Sequence, residues 1–208
     1  MRSAEDFNRY YAKADPWGIS RFAFRDRVLR DAIADYASDR TVLELGCGEG
    51  HLTQTVFRDA RAVTGVDISD VAIARATARR LPNAGFQVAD FLDISFSGYD
   101  TIAAIECLYY LSPAEREAVL AKVATEHRGK PFILSAPIIG GKYFTHGAIL
   151  DSLSRHGMKL VEFHNIDARW DTLPKRAFRV ALGMTPLGHR LLDHLPDALI
   201  YQRCYVAT

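Results

Sequence analysis

The sequence predicts a doubly wound α/β fold with a mostly parallel sheet, and three observations carry that prediction. Short apolar runs of strand length alternate with helix-length amphipathic segments between residues 41 and 135. The first run, Thr41 to Leu45, passes directly into Gly46-Cys47-Gly48-Glu49-Gly50, with glycine at every second position. The second, Ala62 to Val66, ends on Asp67. Alternation of this kind builds a parallel sheet covered on both faces, because each parallel crossover needs a connection as long as a helix.

Taken in order, Ser3 to Lys13 reads as a short helix carrying Phe7, Tyr10 and Tyr11, stopped by the turn-forming Asp15-Pro16-Trp17-Gly18. From Ser20 to about Tyr36 the residues Phe24, Val28, Leu29, Ile33 and Tyr36 recur near helical spacing, with Arg21, Arg25, Arg30 and Asp35 on other faces. The arginines at 21, 25, 27 and 30 read by default as a solvated face, with a grip on an acidic substrate as the alternative. Further strands are expected at Gly85 to Val88, Thr101 to Ile105 and Phe132 to Ser135, and helices at His51 to Arg58, Asp70 to Arg80 and Pro113 to Glu126. Beyond Pro137, Ile138 to Tyr143 reads as a flexible link, Thr145 to His156 as a helix and Lys159 to His164 as a strand. Residues 167–196 are a mixed stretch broken by Pro174, Pro186 and Pro196, and Leu199 to Val206 looks like a closing strand.

At 208 residues the chain suits one α/β domain. Within it we expect an N-terminal helical lid or cap over 1–38, a ligand-binding core over 39–137, and substrate-side elements with the closing strands over 138–208. With 26 basic and 25 acidic side chains the net charge is +1. No global field then gathers nucleic acid or an anionic membrane, so a small-molecule substrate is expected, with the chain a monomer or homodimer. Cys47, Cys107 and Cys204 are widely spaced and form no C-x-x-C, fitting neither a disulfide framework nor a zinc site, and a reducing cytoplasm is the expected location. The first residues open no apolar signal segment, no apolar stretch reaches membrane-spanning length, and no His/Asp/Glu cluster has metal-ligand spacing.

The glycine turn is where ligand chemistry enters. Glycines after a buried strand leave backbone bare at a sharp turn, and an acid about 20 residues past the first glycine is placed to accept a ribose diol. Asp67 is that acid, with Ile68 beside it. The spacing is G-x-G-x-G with Glu49 inside it, rather than the dinucleotide G-x-G-x-x-G. A carboxylate there would repel a pyrophosphate, whereas a sulfonium donor without phosphate tolerates it.

The run Leu43-Glu44-Leu45-Gly46-Cys47-Gly48-Glu49-Gly50 resembles the first motif of the class I S-adenosylmethionine-dependent methyltransferases. The resemblance spans about residues 41 to 111. It implies a Rossmann-like seven-stranded sheet whose last strand is antiparallel, and S-adenosylmethionine as donor, with S-adenosylhomocysteine as product and no metal. It also implies roles for single residues. Glu44 would lie near the methionine amino group, and Gly46, Cys47, Gly48 and Gly50 would form the floor. Asp90 would receive the adenine amine, with Phe91 flanking the ring, although Asp93 competes for the cap in that turn.

Glu106 and Cys107, expected to bind the donor, and Tyr109 and Tyr110 end the fourth strand where donor and acceptor should meet. The tyrosines are catalytic candidates, able to offer an aromatic face or a phenol to a cationic centre, and packing residues otherwise. His51, His146 and His164 are candidate bases, His146 the most suggestive because it follows the Gly140-Gly141 link. The segment Tyr10 to Gly18 and the arginine-rich stretch after it also resemble the small nodulation-type N-methyltransferases, which methylate an amino sugar in a chito-oligosaccharide. In that group the N-terminal segment closes over the ligands, which makes Tyr10, Tyr11 and Trp17 lid candidates.

Nitrogen is the favoured acceptor, since a hydroxyl would need a base or metal and the sequence offers no persuasive one. A small-molecule O-methyltransferase, a non-catalytic cofactor-binding or partner-binding module, and an NAD-dependent oxidoreductase stay open as alternatives.

Overall fold

The computed structural model describes residues 3–21, 23–169, 171–184 and 188–208. The predicted break at Pro186 lies outside them. Helix α1 (Ala4–Tyr10) starts on a capping box in which the Ser3 hydroxyl accepts from the Asp6 N–H and the Asp6 carboxylate accepts from the Ser3 N–H. The single long helix expected from Ser20 to Tyr36 is instead a 3-10 turn over Ile19–Arg21, then α2 (Ala23–Ala32) and α3 (Ala34–Ala37). The interruption is at fully buried Ile33, whose φ of −109° and ψ of 9° leave the helical region.

The core follows as β1 (Thr41–Leu45), α4 (His51–Thr55), β2 (Ala62–Asp67), α5 (Asp70–Ala78), β3 (Ala84–Val88), β4 (Thr101–Ile105), α6 (Pro113–Glu126) and β5 (Phe132–Pro137). Helix α4 is shorter than its pattern, because the Phe57 N–H reaches back to the Leu52 carbonyl and the widened turn drops Phe57 into the core. Then come α7 (His146–Arg155), β6 (Leu160–Ala168), α8 (Leu173–Met184), α9 (Gly188–Leu192) and β7 (Ile200–Ala207). Pro174, expected to break structure, lies in the first turn of α8, where its missing N–H costs nothing.

The seven strands run in the order β3-β2-β1-β4-β5-β7-β6. All are parallel except β7, which is antiparallel to both β5 and β6. Strand period sorts the apolar residues onto two faces. Val42, Ala103, Ile105 and Ile133 pack with Leu29 and Ile33, and with Leu182 of α8. Leu43, Leu45, Ile102, Ala104 and Leu134 pack with Val119 and Val123 of α6 and Leu153 of α7. Both faces are thus closed by helices, and the carboxyl ends of β1, β2 and β4 remain as the open edge. β1 is where the strand order reverses, which is the place for a ligand crevice in an open α/β sheet. Among the described residues no helix is long and apolar enough to cross a membrane.

Candidate active site

A cavity of about 680 Å³ opens at this edge. Its floor is the glycine turn, in which Gly46, Gly48 and Gly50 all adopt positive φ, at 69°, 53° and 72°. The turn is pinned from below, because the Gly46 and Cys47 N–H groups both donate to the Val66 carbonyl. It is less bare than the spacing predicted. A Cβ on Gly46 would come 2.6 Å from that of Cys107, and one on Gly48 would come 2.6 Å from the Tyr11 hydroxyl. Gly50 does not line the cavity; a Cβ there would crowd Phe86 and Ala76, so its small size lets α5 and β3 close against the turn.

Asp67 ends β2 almost fully buried against the cavity. Its Oδ2 accepts from the Gly48 N–H at 3.0 Å and its Oδ1 from the Ser69 N–H at 2.9 Å. Burial pushes this carboxyl up, while the Ser69, Gly48 and Ile68 amides pull it down. Each oxygen keeps acceptor capacity for a further donor in the cavity. Ile68, Ala89, Asp90 and Phe91 continue the same wall, and Asp90 Oδ1 holds the Leu92 N–H at 2.9 Å.

Glu44 does not reach the cavity. It lies buried beneath the turn, where its Oε2 accepts from the Thr53 hydroxyl at 2.5 Å, and burial, opposed by that bond and reinforced by the Asp67 charge, raises its carboxyl to about 8. Glu49 is not a bare charge in the turn either. Its Oε1 meets Arg75 Nη1 at 2.5 Å and its Oε2 accepts from the Asp15 N–H at 2.9 Å. The repulsion read from its presence therefore loses most of its force, because Arg75 neutralises it in place.

The N-terminal segment forms one wall. Asn8 is held by the Ser69 hydroxyl, donating at 2.6 Å, and donates to Asp70 at 2.7 Å, which fixes α1 over the start of α5. From there aromatic rings run across the cavity: Trp17 meets Tyr11 at 5.1 Å and Tyr110 at 6.3 Å, and Tyr110 meets Tyr109 at 4.5 Å. Tyr109 in turn meets Tyr143 at 5.1 Å. Tyr10, Tyr11, Trp17, Tyr109 and Tyr110 all line the cavity, as do Glu106 and Cys107.

His146 does not. Its Nδ1 pairs with the Tyr205 hydroxyl at 2.9 Å and its ring stacks on Tyr205, so the link that precedes it carries it away from the β4 edge. His164 lies 3.4 Å from Glu162, also outside the lining set, and His51, which does line the cavity, is bound to Asp26 at 2.6 Å.

The far wall was legible in the sequence only through the alternative that the arginines grip a substrate. Arg25, expected in a solvated face, is 8% exposed, bonded through Nη2 to Asp26 at 2.8 Å, and lines the cavity. Asp167 of β6 is bonded by Arg179 of α8, whose Nε donates to Oδ1 at 2.6 Å and whose Nη2 donates to Oδ2. Tyr143, Tyr201 and Gln202 complete that side. A lone acid between the apolar Ile166 and Ala168 was a further signal in the sequence.

Comparisons with known proteins bear on what this cavity is for. Residues 42–126 match the methyltransferase domain family. That segment holds the glycine turn, Asp67 and Asp90, and it is what this chain shares with methyltransferase domains. Nodulation protein S of Azorhizobium caulinodans is 32% identical over 108 residues, 49% of this chain and 52% of that protein. The carboxy-S-adenosyl-L-methionine synthase of Campylobacter fetus is 31% identical over 104 residues, 47% of this chain and 44% of that protein. The chain thus spans about half the length of the curated relatives it matches. The N-methyltransferase NodS of Bradyrhizobium japonicum, solved with S-adenosylhomocysteine, superposes with a TM-score of 0.71 at 16% identity, covering 98% of this chain and 96% of that one. At that identity the likeness is one of fold, and the methyltransferase sheet with its antiparallel β7 is the fold described above.

Proposed function

We propose that this methyltransferase domain transfers a methyl group from S-adenosylmethionine to an amine of a small, polar molecule, an amino sugar or oligosaccharide being the favoured class. The observation that carries the reading is the Asp67 carboxylate, buried at the cavity wall with both oxygens fixed by backbone amides and with acceptor capacity left for a ribose diol. A phosphate-free nucleoside suits this wall, and Asp90 beside Phe91 offers an acceptor to an adenine amine. The likeness to nodulation protein S, together with the fold shared with the N-methyltransferase NodS, supports nitrogen as the atom methylated.

Methyl transfer from a sulfonium is an in-line displacement, so positioning and exclusion of water supply most of the catalysis. The rings of Tyr11, Trp17 and Tyr110 serve that purpose here, closing the cavity over the β4 edge. Three buried, unpaired cysteines accord with a reducing cytoplasm as the place of work. O-methylation is the second reading, and one observation favours it: the cavity does contain a half-buried acid, Glu106, able to act as a base toward a hydroxyl.

Titration calorimetry with S-adenosylhomocysteine and with NAD tests the donor, and binding of the first without the second is expected. Labelled S-adenosylmethionine with paired acceptors, D-glucosamine against N-acetylglucosamine, tests the acceptor. Transfer to the free amine alone is expected, while transfer to both sugars moves the assignment to oxygen. Donor binding with no transfer to any acceptor class would leave a binding module.

A further inference from the structure

Nothing in the packing of the fold calls for an acid at the end of β4, yet Glu106 is there. It adopts a left-handed φ of 56°, a conformation that costs a residue other than glycine on the order of 1–3 kcal/mol. Its N–H is fixed to the Ser135 carbonyl at 2.8 Å, and the residue lines the cavity. Its Oε1 is shielded from solvent and has no hydrogen-bond partner within the protein. Buried polar atoms in native proteins are overwhelmingly paired, so an orphaned carboxylate oxygen in a ligand cavity marks the place of an absent donor.

The groups around it define that donor. Arg25 of α2 favours the charged carboxylate, Asp167 of β6 opposes it, and the Tyr109 hydroxyl also pulls its carboxyl down. Arg25 is bonded by Asp26 and Asp167 by Arg179, two buried ion pairs that each balance. Cys107 and Tyr201, both held neutral by burial, add no charge, and Lys142 stands over the Tyr143 ring at 4.8 Å. The place thus combines one acid with the aromatic rings of Tyr109 and Tyr143, the second of which already holds the Lys142 ammonium, a combination that favours a cation.

The geometry points to Glu106 as the residue that anchors the protonated amine of the methyl acceptor and removes its proton. The inference rests on the methyltransferase reading and deepens it, since it makes the acceptor a primary or secondary ammonium. In the step, R–NH3+ gives one proton to the Glu106 carboxylate and becomes R–NH2. The nitrogen lone pair then forms the bond to the sulfonium methyl while the carbon–sulfur pair returns to sulfur. The products are R–NH2CH3+ and the thioether, and the proton held on Glu106 leaves to solvent, one for each turnover. Burial, eased by Arg25, raises the empty-state carboxyl to about 8, and an ammonium beside it draws it back down.

The test needs no knowledge of the acceptor. Sinefungin carries a carbon bearing a primary amine where the donor has its methylsulfonium, so it presents an ammonium toward the acceptor position. Calorimetry on the full chain near pH 7.5 would compare sinefungin and S-adenosylhomocysteine on the wild type, Glu106→Gln and Glu106→Asp. Glu106→Gln should lose about tenfold in sinefungin affinity, the scale of a charge-assisted hydrogen bond, while its S-adenosylhomocysteine affinity is unchanged. Glu106→Asp should restore most of the loss. An equal effect on both ligands, or on neither, overturns the inference and leaves the methyltransferase reading standing. Failure of the wild type to bind S-adenosylhomocysteine overturns that reading and the inference with it. Should Glu106→Gln not fold, the wild type alone decides: its preference for sinefungin over S-adenosylhomocysteine should grow as pH rises through the titration of Glu106, and a flat ratio overturns the inference.

Discussion

The Asp67 carboxylate and the Gly48 amide are joined by a hydrogen bond of 3.0 Å across the end of the first two strands, so the acid and the glycine turn form one unit. Asp67→Ala should therefore do two things. It should cost S-adenosylhomocysteine about 1.5–3 kcal/mol, the worth of a hydrogen bond to a charged group, and it should lower the melting temperature because the Gly48 and Ser69 amides lose their acceptor. Calorimetry and thermal unfolding separate the two effects, and a lowered melting temperature with unchanged affinity would reduce Asp67 to a structural brace.

Gly48→Ala meets two obstacles. The positive φ of 53° strains any side chain there, and the new Cβ would come within 2.6 Å of the Tyr11 hydroxyl. Strain of this kind costs on the order of 1–3 kcal/mol. Adding Tyr11→Phe removes the clashing oxygen and leaves ring carbons, the nearest at 3.6 Å. The double variant should recover part of the lost stability in denaturant unfolding, and a strictly additive pair would show that Tyr11 yields without resistance.

Glu44 makes stability depend on pH. Its carboxyl is raised from 4.5 to about 8 in the fold, so the native state keeps a proton that the unfolded chain has released in between. The contribution is fully present below pH 4.5 and is lost as pH rises through 8. Glu44→Gln keeps an acceptor for Thr53 and cannot ionise. It should melt with the wild type in acid and above it in mild alkali, with Glu106 supplying the slope that remains. Melting temperatures across that range check the sign.

Arg179 is one-fifth exposed but its partner Asp167 is 2% exposed. Arg179→Ala should strand that acid in the cavity wall and destabilise the fold by about 3–5 kcal/mol, as breaking buried pairs does. Asp167→Asn in the same background should return much of it, which a double-mutant cycle in urea would read.

The first half of the chain is legible in the sequence because its information is local. Apolar runs followed by glycine or an acid locate β1, β2 and β4, and the helical pattern from Pro113 to Glu126 locates α6, to which the structure adds a capping box between Ser112 and Glu115. The second half depends on contacts that no window contains. Arg25 reads as one of several exposed arginines until Asp26 and the cavity claim it. Pro174 reads as a breaker until its position within the first turn of α8 is known. His146 looks placed for catalysis by its neighbours in sequence, yet the register of β5 with β7 sets Tyr205 opposite Leu134 and so takes the imidazole with it. Glu106 stands among the expected site residues, but its left-handed backbone and its unsatisfied oxygen belong to the folded state alone.

The insertion of β7 between β5 and β6 governs the order in which the molecule can assemble. Among the described residues β6 hydrogen bonds to no strand except β7, so its place in the sheet is fixed only once residues some forty positions later in the chain have been synthesised and have found β5. Contacts over such separations are slow to form. The nucleoside half of the cavity, made from β1, β2 and the glycine turn, can therefore mature first. A nascent chain would complete the Asp67 wall of the cavity before Tyr201, Gln202 and Asp167 close its far side.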